Sequence, residues 1–219
     1  MPLSAQALAA WAKRFFDLGA SGGAPARALD GAPAALVFDV ETDGGRGAQL
    51  AVQIAWVVYN AGGEELFARC EYLALPPGRT ISYFATKVHR ISNAMLREKG
   101  MRPQHVLVDF FTWADRVAAN GGAVVAHNAA FDAQVVTNTA TSCGLARDLR
   151  VEECVCTMEG SKRRLGLVNK RGGVKPPKNA ELYAHLVGIE LDHATLHDAL
   201  NDVRVTGASY FAGKKVGWW

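Results

Sequence analysis

Apolar residues change their spacing along the chain, and each change of period predicts an element. Leu8, Trp11, Phe15 and Leu18 follow Ser4 at helical intervals, which predicts a helix over 4–18 with Ser4 as its N-cap. Residues 19–33 are rich in Gly, Ala and Pro and predict a linker. Apolar runs at 35–40, 49–59 and 64–75, the last two separated by Asn60-Ala-Gly-Gly, predict three strands in an antiparallel meander. Val106, Phe110, Trp113 and Val117 share one stripe of a helix over 103–119, and Gly121-Gly122 separates it from a short strand at 123–126. A helix over 131–141, a strand at 154–158 and helices near 179–187 and 197–211 complete the pattern. Strands first, then alternating helices and strands, predict an α/β fold with a mixed sheet. The division expected is an N-terminal helix and linker over 1–33, one compact domain over 34–212 and a tail over 213–219.

Composition narrows the class. With 219 residues, 49% of them hydrophobic, the chain buries a full core without help from metal or disulfide. The longest apolar runs, such as 51–59, are too short to span a membrane, and no cleavable signal is evident, so a soluble, cytoplasmic protein is expected. Cysteines at 70, 143, 154 and 156 lack the paired spacing of a zinc site and read as reduced thiols. A formal charge of +3 does not announce a nucleic-acid binder, but its distribution is uneven. From Ser161 to Lys178 stand Lys162, Arg163, Arg164, Lys170, Arg171, Lys175 and Lys178 with no acid among them. A solvated loop explains such a run, and so does a track for a phosphate backbone; contact with substrate is the reading carried forward.

Three motifs carry candidate chemistry. Asp39 and Glu41 end an apolar strand, and residues two apart on a strand point to one face. Two ionised carboxylates beside a core repel one another unless protons or a cation compensate; a solvated strand end before the turn Asp43-Gly44-Gly45 accounts for the pair equally well. Asp132 closes the second motif, Ala126-His-Asn-Ala-Ala-Phe-Asp132, where an acid in an early helical turn also suits the helix dipole. The third runs from His197 to Asp202. Their separation of five is off one helical face, which sets Asp202 on a helix and His197 at or before its start.

In order, spacing and context, these motifs resemble the DEDDh (DnaQ-like) exonucleases of the ribonuclease H-like superfamily, a group that includes the proofreading subunit of bacterial replicative polymerase, ribonuclease T and the Trex-like DNA exonucleases. The resemblance runs from Ala34 to Phe211. It implies a mixed five-stranded sheet flanked by helices and a 3′–5′ exonuclease that releases nucleoside monophosphates from DNA or RNA. It also implies two Mg²⁺ or Mn²⁺ ions on Asp39, Glu41, Asp132 and Asp202: Asp39 bridging, Glu41 and Asp202 on the ion that holds the attacking water, Asp132 on the other. His197, rather than His193, takes the proton from that water. Thr42 is the candidate for contacting the terminal 3′ hydroxyl through its backbone N–H, though a threonine there also caps its own turn. His89, Ile91 and Phe131 are candidates for framing the terminal base, and Asn128 for phosphate; Ile91 and Phe131 equally suit the core, and Asn128 equally suits bracing its loop. The segment 87–92 resembles the family's His-Gly-Ile loop with Arg90 in place of glycine, and 181–188 resembles the helix preceding the third motif. Partners implied are single-stranded or frayed 3′ ends, with proofreading, repair and RNA trimming all open. The rival reading is an inactive end-binding module of the same fold. The aromatic tail Gly213-Lys-Lys-Val-Gly-Trp-Trp219 either docks another protein, a second copy included, or folds back.

Overall fold

A computed structural model describes residues 31–45, 47–191 and 198–219. The helix expected over 4–18 and most of its linker lie outside the described residues, as do His193 and His197.

Strands β1 (Pro33–Thr42), β2 (Ala51–Asn60) and β3 (Glu65–Tyr72) form the antiparallel meander. Asn60 makes the tight reversal between β2 and β3: its Oδ1 accepts from Gly62 N (2.9 Å) and Glu64 N (3.0 Å), while Gly63 takes a φ of 84°. Two short helices follow, α1 (Tyr83–His89) and α2 (Asn93–Lys99), each capped by a serine whose hydroxyl accepts from the third residue on, Ser82 from Ala85 and Ser92 from Met95. Next come α3 (Pro103–Ala119), opened by proline, and β4 (Ala123–Ala126), then α4 (Ala129–Ser142) and β5 (Cys154–Cys156). The chain continues through α5 (Thr157–Leu165), α6 (Asn179–Val187) and α7 (Ala199–Lys215).

The five strands make one sheet in the order β3-β2-β1-β4-β5, with β4 parallel to β1 and β5 parallel to β4. Strand β2 is buried along its whole length because both faces of the sheet are covered. On one face Leu36, Phe38, Ile54 and Trp56 pack with Val106, Phe110 and Ala114 of α3 and Ala133 and Val136 of α4. On the other, Ala35, Val37, Val57 and Tyr59 pack with Tyr183 of α6 and Val203, Ala208 and Phe211 of α7. Gly207 of α7 lets the helix approach β2: a Cβ there would lie 2.8 Å from the buried Tyr59 hydroxyl.

The tail folds back. Trp219 Nε1 donates to the Tyr210 carbonyl (2.6 Å), and its ring lies nearly parallel to Tyr210 at 6.2 Å, over the bare Cα of Gly213. Arg164 of α5 donates to the Gly217 carbonyl (3.2 Å) and sits 5.5 Å from the Trp218 ring, which also meets His185 of α6. The tail thereby ties α5 and α6 to α7.

Candidate active site

Because β1 and β4 run parallel, their C-terminal ends share one edge of the sheet, where the loops that bear chemistry collect in open α/β sheets. Asp39 and Glu41 follow Ala35 and Val37 in the strand alternation and so face the α7 layer. Asp202, in the first turn of α7, meets them there: one carboxylate oxygen from each of Asp39, Glu41 and Asp202 lies within 4.8 Å of the others. Asp132, in the first turn of α4 and almost fully buried, closes the group. The β1–β2 pairing slips between Glu41 and Thr42, the kind of irregularity that re-aims side chains beside active sites. The four carboxylates line a cavity of about 400 Å³ with Val40, His127, Asn128, Phe131, Lys178, Asn179 and Ala180.

The electrostatics of this cluster are unfavourable without compensation. Burial drives the Asp39 carboxyl well above the usual range, and the charges of Asp132, Asp202 and Glu41 drive it further. Glu41 is pushed up to about 8 by burial and then by Asp202, Asp132 and Asp198. Asp132 rises to about 7 through burial, held back by backbone hydrogen bonds from Val40, Asp132 and Asn128. Half-buried carboxylate oxygens so close together are the donor set of a hard divalent cation, and the arrangement fits one.

The wall behind the carboxylates is held by hydrogen bonds rather than bulk. Asp43 is fully buried, accepting from Leu50 N (3.1 Å) and Gly45 N (3.3 Å) and pairing with Arg79, whose guanidinium also donates to the Ala48 carbonyl (2.5 Å). Thr42 Oγ1 donates to Gln49 Oε1 (3.1 Å) and accepts from Gly44 N (3.3 Å), so this threonine does cap its own turn. Ile91 N–H donates to His89 Nδ1 (3.0 Å), which leaves the ring proton on Nε2 to reach the Thr42 carbonyl (3.1 Å). Burial lowers the His89 pKa and keeps the ring neutral. Arg90 occupies the left-handed region at φ 62°, ψ 7°, the conformation a glycine adopts freely.

On the opposite side, His127 Nε2 lies 3.0 Å from the Pro177 carbonyl and Nδ1 3.1 Å from Thr157 Oγ1, a neutral bridge whose pKa burial lowers. Asn179 Nδ2 donates to the Asp202 carbonyl (3.1 Å) and to Thr206 Oγ1 (2.9 Å). Glu181 accepts from Lys178 N (2.8 Å) and from Lys175 (2.6 Å). The backbone of 177–179 is thus tied to the second motif, to α7 and to its own helix, and it delivers Lys178 into the cleft.

Of the residues singled out from sequence, Asp39, Glu41, Asp132, Asp202, Asn128 and Phe131 line one cleft, and Phe131 is 42% exposed to it. Thr42, His89 and Ile91 are not among the lining residues; Ile91 packs with Val52, Ile81 and Leu96. His197 lies outside the described residues. His127, Lys178 and Asn179 were not singled out as site residues, and only Lys178 carried a signal, as the last member of the basic run. Three members of that run, Lys162, Arg163 and Arg164, stand on α5 rather than in a loop.

The family model described as Exonuclease (RNase_T) matches residues 36–210. No curated protein matches the chain. Among solved structures, E. coli Exonuclease I in complex with a dT13 oligonucleotide is similar at a TM-score of 0.65 and 18% identity, over 82% of this chain and 40% of that one. Exonuclease I from Methylocaldum szegediense is similar at 0.64 and 18%, over 84% and 40%. The nuclease domain of 3′hExo, a DEDDh family member, bound to rAMP, is similar at 0.65 and 12%, over 84% and 92%. The chain spans about 40% of the two Exonuclease I chains. At these identities the likeness establishes the ribonuclease H-like fold.

Proposed function

The chain belongs to the exonuclease family whose model matches it, and from that premise we propose that it is a 3′–5′ exonuclease of the DnaQ-like (DEDDh) type acting on unpaired ends of DNA or RNA. The observation that carries this reading is the convergence of Asp39, Glu41, Asp132 and Asp202 on one cleft with three carboxylate oxygens within 4.8 Å. Asp39, Glu41, Asp132 and Asp202 would hold two Mg²⁺ or Mn²⁺ ions, which when bound neutralise the phosphate and acidify the attacking water. His197, matched by motif, accepts the proton of that water; an imidazole with a pKa near ~6.5 suits the task at neutral pH. Phe131 offers an exposed ring to the terminal base, and Lys178 offers its ammonium to the phosphate beside the scissile bond. A single-stranded substrate agrees with the E. coli Exonuclease I–ssDNA complex among the similar structures.

Digestion of 5′-labelled single-stranded DNA and RNA of equal sequence, with Mg²⁺, Mn²⁺ or chelator, tests the proposal. The expected result is a ladder shortening from the 3′ end, dependent on metal and lost in a folded Asp39→Ala variant. Internal cuts would replace the exonuclease with an endonuclease, and full activity of Asp39→Ala would remove the carboxylate cluster from the mechanism.

A further inference from the structure

Helix α1 presents two unlike faces. Its inner face presses on the segment that follows the first catalytic motif: Ser82 N donates to the Asp43 carbonyl (2.8 Å), His89 reaches the Thr42 carbonyl, and Ser82 and Ala85 occupy the space a Cβ on Gly44 would need. The outer face carries Tyr83, Phe84, Lys87 and Val88 at i, i+1, i+4 and i+5. Tyr83 is 66% exposed and Phe84 80%, the most exposed large apolar side chain among the described residues. The two rings meet edge to face at 5.7 Å, and Lys87 Nζ stands 4.8 Å above Tyr83. From Ile81 to Arg97 the chain has Lys87, Arg90 and Arg97 and no acid.

Adjacent exposed rings on a helix whose other face is fully engaged add nothing to the core. Apolar surface of this kind, with Lys87 stacked on Tyr83 and Arg90 at the end of the same helix, matches a ligand that is anionic along its length and flat at each unit. We infer that the outer face of α1 is a stacking platform for the unpaired strand upstream of the 3′ terminus, with Tyr83 and Phe84 receiving bases and Lys87 and Arg90 their phosphates. This rests on the exonuclease reading and deepens it. Every base has a π-face, so the platform is indifferent to sequence; a duplex keeps its base faces stacked inside, so the platform selects single strands.

The test measures dissociation constants of 5′-fluorescein oligothymidylates of 2 to 12 nucleotides, in Ca²⁺, for the wild type and the Tyr83→Ala/Phe84→Ala double variant. Both side chains are exposed, so an unchanged melting curve is expected and checks the fold. Wild-type affinity should tighten with length, and the double variant should lose at least about tenfold at 12 nucleotides, about 1.4 kcal/mol. Tyr83→Trp/Phe84→Trp should restore the length dependence, and Lys87→Gln should shallow the salt dependence by about 0.7. Superimposable curves for wild type and double variant would overturn the platform and leave the patch to a protein partner. Hydrolysis of p-nitrophenyl thymidine 5′-monophosphate by the wild type in Mn²⁺ reads the exonuclease separately. No hydrolysis alongside a length-dependent loss of affinity would sink the catalytic reading while keeping the platform.

Discussion

Arg90 stands in left-handed backbone that costs a residue with a side chain about 1–2 kcal/mol. The Arg90 N–H bond to the Thr86 carbonyl (2.8 Å) and the His89 contacts on either side hold it there. Arg90→Gly should therefore raise stability by about 1 kcal/mol, read as a higher urea midpoint at unchanged slope. The carboxylates make a prediction of opposite character. Glu41 has a folded pKa of about 8 against an ordinary 4.5, and Asp132 about 7 against 3.8. Between the lower and upper values the folded chain binds more protons than the unfolded one, so stability present below about pH 4 is lost as pH rises towards 8. In chelator, the melting temperature should be lower at pH 8.5 than at pH 5.5, and Mg²⁺ or Mn²⁺ should narrow the gap; a flat profile would mean that the cluster is not desolvated. Lys178, exposed and lining the cleft, should on change to Ala reduce kcat/KM about tenfold with no change in melting. Asp39 and Glu41 were legible because a strand's period of two puts them on one face. Asp132 and Asp202 were legible only as members of an ordered set of motifs. His127 and Asn179 were not, since they work by gripping the carbonyls of Pro177 and Asp202, 50 and 23 residues away, and no local pattern marks such a bond.

At the scale of elements, α3, α4, α6 and α7 announced themselves by their periods, while the nine-residue α5 and the shorter α1 and α2 did not. Helices α1 and α2 have seven residues each, too few for a 3.6-residue period to register, and their signal was the pair of serine caps. Helix α7 continues to Lys215, beyond the last obvious apolar position, and its last buried residue, Gly213, is covered by the returning Trp219 ring. That helix sets the position of Asp202 and is fixed at several points: Gly207 against Tyr59, and Arg204 against Glu65 through two N–H donors at 2.9 and 3.2 Å. Gly207→Ala should destabilise the chain by about 1–3 kcal/mol through overpacking of a Tyr59 ring that has no room to retreat, seen in thermal or urea unfolding. An unaltered midpoint would show that α7 can slide on the sheet.

For the molecule as a whole, the class of fold could be read from the succession of periods, while the order β3-β2-β1-β4-β5 could not. Periodicity reports which face of a strand is buried and carries nothing about its neighbour; the parallel pairing of β4 with β1 is set by the crossover through α3. Asp39 lies on the first strand of this sheet and Asp202 on α7, the last helix packed upon it. On the ribosome, 202 − 39 = 163 residues must be added between the two, roughly 8–33 s at about 5–20 residues per second. Until then the other carboxylates lack their partner and the far face of the sheet its cover. A chain built in this order completes its carboxylate cluster only when its last helix has been made and docked.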